Sequence, residues 1–249
     1  MMNPAEFANI AKSEDQFWWY RGMRKIMFRM LDPFARARKI DRVLEAGCGT
    51  GHFALAIQHR YGWPVYPIDL GQEGIEYGRS LGVERLAQAD IQALPFANSV
   101  FDAVLSMDVI VHMPPGVEAK PIREFARVLK PGGLLALRVS ALDALRSRHS
   151  EFAMERQRFT KSRLIQLAAD SGFTVLRVSY ANSLLCPIAF AKFRIWEPLS
   201  NAPPASGVVP VSRWMDKVLY APLALESLWI GAGGSFPVGQ SLILIAARR

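Results

Sequence analysis

At 249 residues and 51% apolar side chains, the chain can bury one large α/β core and does not require a second independent domain. Two cysteines are too few for a disulfide framework or a zinc cluster, so reduced thiols and no metal are expected. The formal charge of +8 points to an anionic partner such as nucleic acid or a phospholipid surface. The cations nevertheless sit in short clusters at 21–29, 36–42 and 156–163 with no long basic run, which argues against nucleic acid.

In chain order, Met1 to Gln16 mixes Glu6, Lys12, Glu14 and Asp15 with small residues and has no apolar h-region. No secretory signal is predicted, and a cytoplasmic location is expected. Across 7–34, Phe17, Trp18, Trp19, Tyr20, Met23, Ile26, Met27, Met30 and Leu31 recur at the spacing of an amphipathic helix behind an aromatic entry, with Pro33 marking its end. From Arg42 short apolar runs alternate with longer periodic segments, the signature of a parallel sheet covered by helices. Strands are predicted near 42–46, 64–68, 84–88, 101–107 and 133–139, and helices near 51–60, 72–81, 118–129 and 160–171. Two later strands follow near 173–181 and 240–247. The connection between them, 184–238, is too long for a structureless loop, so a helical insertion broken by a flexible turn at Asn201 to Gly207 is predicted. Lys192 and Arg194 interrupt its best apolar stretch, which speaks against a membrane-spanning helix.

The chemistry begins at Val43-Leu44-Glu45-Ala46-Gly47-Cys48-Gly49-Thr50-Gly51, a strand running into a glycine-rich loop. Such glycines serve tight turns and close helix packing even without a ligand. They also remove side chains where backbone must approach a ligand at a strand's carboxyl end, and Glu45 there can meet a charged amino group. Asp69, ending the second strand, can accept hydrogen bonds from both hydroxyls of a ribose. The Gly-Cys-Gly-Thr-Gly spacing departs from the Gly-x-Gly-x-x-Gly pattern of pyrophosphate cradles, which disfavours a nicotinamide-dependent oxidoreductase.

Ala89-Asp90-Ile91-Gln92-Ala93-Leu94-Pro95-Phe96, Phe101 to Met107 and Arg127-Val128-Leu129-Lys130-Pro131-Gly132-Gly133 complete a series that resembles the successive motifs of class I S-adenosylmethionine (SAM) dependent methyltransferases. Within that class the similarity is to the broad small-molecule group called type 11, and it covers about 40–180. The resemblance implies a three-layer α/β/α Rossmann-like fold, a seven-stranded mostly parallel sheet with one antiparallel strand, and SAM as cofactor with S-adenosylhomocysteine as product. It implies that Gly47 and Gly49 line the methionine part of SAM, that Asp69 holds the ribose with Leu70 beside it, that Asp90 accepts the adenine amino group with Ile91 on the ring, and that Met107 lies beneath the cofactor. Met107 also suits ordinary core, Asp90 a helix N-cap, and Pro131-Gly132-Gly133 the turn into the fifth strand. The aromatic entry is similar to an N-terminal segment of this group that lies over the cofactor. Tyr20 or Arg24 could then reach the SAM carboxylate, although the tryptophans could equally anchor the helix to the sheet.

A sulfonium methyl is already activated, so alignment, desolvation and, for a hydroxyl acceptor, proton removal are the remaining tasks. His112, after the fourth strand, is the candidate base; a capping or structural role competes, and Val111 stands where similar O-methyltransferases carry an acid. His149 could edge the acceptor pocket or sit on a solvated loop. The insertion carries more apolar side chains than a loop needs, with Arg194, Arg213 and Lys217 nearby, so it could wall a greasy pocket, touch a membrane peripherally, pack on the sheet or form a dimer contact.

The expected organisation is an N-terminal lid helix at 1–38, a SAM-binding core at 39–183, a helical substrate cap at 184–238 and a final antiparallel strand at 239–249. The expected function is methyl transfer to a small-molecule or lipid-like acceptor, on oxygen before nitrogen or carbon. A non-catalytic SAM-binding partner subunit is the rival from another class.

Overall fold

A computed structural model of the chain describes residues 2–200 and 202–249; Met1 and Asn201, the latter opening the turn expected at 201–207, lie outside the described residues. The chain starts with two helices, α1 (Pro4–Ser13) and α2 (Trp18–Arg36), where periodicity alone predicts one. The break has a tertiary cause: Glu14 turns inward to accept a hydrogen bond from the Thr50 hydroxyl, and Phe17 takes an extended backbone before α2. Pro33 does not end α2. Lying one turn from the C-terminus, its missing N–H forfeits a single bond, while the neighbouring Asp32 carboxylate accepts a bond from the Tyr61 hydroxyl at 2.8 Å and pairs with Arg60.

The alternating portion comprises β1 (Val43–Ala46), α3 (His52–Tyr61), β2 (Val65–Asp69), α4 (Gln72–Ser80), β3 (Ala87–Gln88), β4 (Phe101–Met107), α5 (Ala119–Val128), β5 (Leu129–Ser140), α6 (Arg148–Phe152), α7 (Lys161–Asp170) and β6 (Phe173–Ala181). β3 is shorter than predicted because Arg85 adopts a left-handed φ of 55° and pairing with β2 begins only at Ala87. The seven strands form one sheet in the order β3-β2-β1-β4-β5-β7-β6. The last strand, β7 (Ser241–Arg248), runs antiparallel to both β5 and β6 and slots between them. Strand order reverses direction at β1 and β4, and in such sheets the crevice outside the strands' carboxyl ends at this switch point receives the ligand.

Alternation along the strands divides the core into two layers. Leu135, Leu137 and Val139 face α5 and α7, whereas Leu134 and Ala136 face α2 and α3. The 184–238 segment contributes α8 (Cys186–Ala191), which continues through a π turn at Lys192–Trp196 into α9 (Glu197–Leu199), and then α10 (Arg213–Gly231) after an irregular stretch. α10 lies so close to α2 that a Cβ on Gly22 would stand 2.3 Å from Leu223 Cδ1. Met23, Ile26, Met27 and Met30 are wholly buried, so α2 is a core-layer helix. The covering position over the glycine loop belongs to α1, whose Phe7 packs where Gly71 and Gly74 leave room. No helix among the described residues is long and apolar enough to cross a membrane.

Candidate active site

The carboxyl ends of β1, β2 and β4 open into a cavity of about 960 Å³. Its first half is made largely by backbone. Gly47, Gly49 and Gly51 all take positive φ, but their surroundings differ. A Cβ on Gly47 would collide with Val109 at 2.3 Å, whereas one on Gly49 would meet nothing within 4 Å. Gly47 therefore serves packing against the loop after β4, and Gly49 leaves space for a ligand beside the loop.

Asp69 braces this loop, accepting hydrogen bonds from the Gly49 amide at 2.7 Å and the Gly71 amide at 2.8 Å. Burial raises its carboxyl above the ordinary value, partly offset by these amides. Glu45 is more extreme. Its side chain is buried at the end of β1, Oε2 has no partner among the described residues, and burial pushes its carboxyl well up, reinforced by the charges of Glu14 and Asp69. An unpaired buried carboxyl beside two more carboxylates favours a cationic group. SAM carries an ammonium and a sulfonium, so the donor set fits it, and the space at Gly49 fits close backbone approach.

Every residue singled out in the sequence for the cofactor lines this cavity: Tyr20, Arg24, Glu45, Gly47, Gly49, Asp69, Leu70, Asp90, Ile91 and Met107, with His112 among them. Their local bonds are informative. Asp90 Oδ1 accepts the amide of Gln92 at 2.8 Å, a turn-forming bond, while Oδ2 has only a long contact of 3.4 Å from Gln92 Nε2. Arg24 lies 3.1 Å from His52 Nδ1, at the start of α3. Burial pushes the Tyr20 phenol well up, so it remains a donor.

Several residues escaped the sequence reading. Asp108 follows Met107 with φ 57°, pairs with Arg138 at 2.7 Å, and keeps a buried Oδ1 without a partner among the described residues. The Arg138 guanidinium lies 4.9 Å from the ring centre of Trp19, so an ion pair and an aromatic side chain meet at the end of β4. A visible signal existed, since Asp108 directly follows β4 and Arg138 sits on the neighbouring β5, paired with Met107. Glu14 and Asn182 carried none: they reach the cavity only through the fold.

Beyond β4, His112 lies on a turn held by Gln157, whose Nε2 donates to the carbonyls of Ile110 and Met113 at 3.2 and 3.1 Å. His112 Nδ1 faces the Met154 carbonyl at 3.3 Å. Only an N–H can bond to a carbonyl, so Nδ1 donates and Nε2 keeps its lone pair. Burial lowers the ring's pKa, which keeps it neutral near pH 7. His149 also lines the cavity and its Nδ1 accepts the Gly207 amide at 3.0 Å. Ser206 donates to Glu6 at 2.9 Å, and together these bonds hold the irregular stretch before α10 across the cavity. Leu185, Ile188, Phe193 and Leu219 give this second half an apolar wall, beside Arg148, Arg156, Arg158 and Lys192.

Residues 44–137 match the family described as methyltransferase domain, Methyltransf_11. These residues thus form a class I SAM-dependent methyltransferase domain. The domain's cofactor is SAM, consistent with the fit of Glu45, Gly49 and Asp69. Over 158 residues the chain is 33% identical to a malonyl-[acyl-carrier protein] O-methyltransferase of Enterobacter lignolyticus, covering 62% of this chain and 62% of that protein. It is 39% identical over 97 residues to a fatty-acid O-methyltransferase of Mycolicibacterium smegmatis, covering 37% of this chain and 34% of the relative. The matches thus span less than two thirds of these relatives' lengths. Among solved structures, a Haloferax volcanii protein in complex with the Trm112 methyltransferase activator shares the fold at TM-score 0.59 and 20% identity, covering 98% of this chain and 97% of that one.

Proposed function

We propose that the whole chain transfers the methyl group of SAM to an oxygen atom of a small, lipid-like acceptor. The observation that carries this reading is one continuous cavity, lined by the strand-end residues, by His112 and by apolar side chains of α8 and α10. The two relatives above are named as O-methyltransferases of acyl compounds, which supports this reading.

When bound, SAM supplies a methyl already activated by a sulfonium. Glu45 would take its ammonium, Tyr20 and Arg24 its carboxylate, Asp69 the ribose with Leu70 beside it, Asp90 and Ile91 the adenine, and Gly49 and Met107 would leave the space around the methionyl part, with Gly47 packing the loop on Val109. α1, through Phe7 and Ile10, excludes water from the loop. For a hydroxyl acceptor, His112 Nε2 takes the proton, its tautomer set by the Met154 carbonyl. A carboxylate acceptor is already ionised and needs no base, so the same site can serve it without His112.

The test is to incubate the full chain with SAM and a panel of long-chain carboxylic acids, malonyl thioesters, phenols and amines, measuring S-adenosylhomocysteine. Turnover with oxygen acceptors bearing an apolar chain is expected. Turnover confined to amines, or SAM binding without any transfer across the panel, would overturn the proposal.

A further inference from the structure

Exposed apolar side chains are concentrated in one part of this molecule. Among the described residues twenty large apolar side chains are exposed, and fifteen of them fall within 184–238. α10 shows the pattern most plainly. Leu223, Glu226, Ser227 and Ile230 are buried on one side. At 100° per residue, Trp214, Val218, Leu225, Leu228 and Trp229 form a stripe along the opposite side, which faces solvent. On the preceding helical segment Ile188, Ile195, Trp196 and Leu199 repeat the arrangement at successive turns, with Trp196 71% and Leu199 77% exposed. A helix needs only one apolar face to pack, so a second one is partnered elsewhere or costs solubility.

The charges among these residues select the partner. The segment contains three carboxylates and four cations. Glu226 is buried, Glu197 accepts the Arg148 amide at 2.9 Å, and Asp216 pairs with Arg21 at 3.0 Å. Lys192, Arg194, Arg213 and Lys217 form no ion pair among the described residues. A face bearing tryptophans and aliphatic side chains interleaved with unpaired cations repels a second copy of itself and is complementary to an anionic lipid surface. Ile188 and Lys192 belong both to this exposed face and to the wall of the cavity, so the cavity is bounded where the face is greasiest.

We propose that the exposed face of α8, α9 and α10 docks the protein on the surface of an anionic phospholipid bilayer, lying in the interface without crossing it. A lipid-like acceptor then enters from the leaflet past Ile188 and Lys192. This extends the acceptor reading of the previous section, but its test reads binding and not methyl transfer, so the two fail separately.

The full chain is sedimented with phosphatidylcholine vesicles and with vesicles mixing phosphatidylcholine and phosphatidylglycerol, while tryptophan emission is recorded. Partition onto the mixed vesicles with a blue shift is expected, falling in about 1 M salt, where the screening length drops to about 3 Å. A W196S/W214S/L225S variant, altered at exposed positions outside the cavity wall, is expected to bind about tenfold more weakly, and R213E/K217E to lose the preference for phosphatidylglycerol. Circular dichroism and thermal melting verify that both remain folded. Absence of binding by the folded wild-type chain, or equal binding by the triple variant, would overturn the proposal. So would a dimer in sedimentation velocity that the triple variant dissolves, since the face would then cover a second copy.

Discussion

The two halves of the cavity are built on different length scales. On the cofactor side the bond that shapes the glycine loop joins Gly49 to Asp69 across 20 residues, both at the ends of adjacent strands. On the acceptor side the bond between Ser206 and Glu6 joins residues 200 apart. The first half is thus a product of neighbouring βα turns and leaves a contiguous signature. The second is assembled by closure of the whole fold from α1, the 147–158 region and the 184–238 segment, and its chemistry follows from which distant pieces meet.

The sharpest way to break this division is at His112, which lines the cavity beyond β4. With a hydroxyl acceptor, His112→Ala should lower turnover by about 10²- to 10⁴-fold with SAM affinity unchanged in isothermal titration. With a carboxylate acceptor turnover should be nearly unaffected. Because burial lowers the ring's pKa, the wild-type rate with a hydroxyl acceptor should fall only as pH drops below about 6.5; an acid limb above that value would remove His112 as base.

Within the glycine loop the two functional readings of glycine separate. Gly47→Ala forces a Cβ against Val109 at positive φ and should cost about 3 kcal/mol of stability in denaturant unfolding. Gly49→Ala bears only the φ penalty, about 1 kcal/mol, yet should weaken SAM binding about tenfold, because its Cβ points into open space beside the loop. Equal stability losses in the two variants would contradict the distinction.

On the acceptor side, Glu226 pins the start of α8. Its Oε1 accepts the amides of Ser183 and Leu184 at 2.7 and 2.8 Å, while Oε2 is buried without a partner among the described residues. Glu226→Ala should cost about 2 kcal/mol by stranding both amides, whereas Glu226→Gln, which keeps an acceptor and removes a buried charge, should be neutral or stabilising. A thermal melt of each variant decides between a structural clamp and a group held for its charge.

The smallest effect concerns Glu45 in the protein without SAM. Its folded pKa is raised, so its contribution to stability is fully present below about pH 4.5, the unfolded value, and is lost as pH rises through the folded one. Glu45→Gln should therefore be more stable than wild type at neutral pH, with the difference vanishing toward pH 4. The same variant should bind SAM less tightly. A stability difference independent of pH would mean that the Glu45 carboxyl titrates alike in the folded and unfolded chain, against the effect of its burial.

The residues alone determined the alternation of strands and helices from 42 onward, the glycine loop, and the acidic groups at Asp69 and Asp90. Hydrophobic period and turn chemistry are local, and strand-end positions converge wherever a parallel sheet forms. The tertiary structure decided the break between α1 and α2, the burial of α2 as a core layer, the insertion of β7 between β5 and β6, and the joining of Glu14, Asp108, Arg138 and Asn182 to the cavity. Those depend on contacts between segments far apart in the chain, such as Glu14 with Thr50, whose stabilising effect arises only once the fold has closed and removed their carboxylates and hydroxyls from water. The exposed stripe on α10 belongs to both accounts: its apolar residues are plain in the sequence, but only the packing of the opposite face against α2 shows which of them remain uncovered.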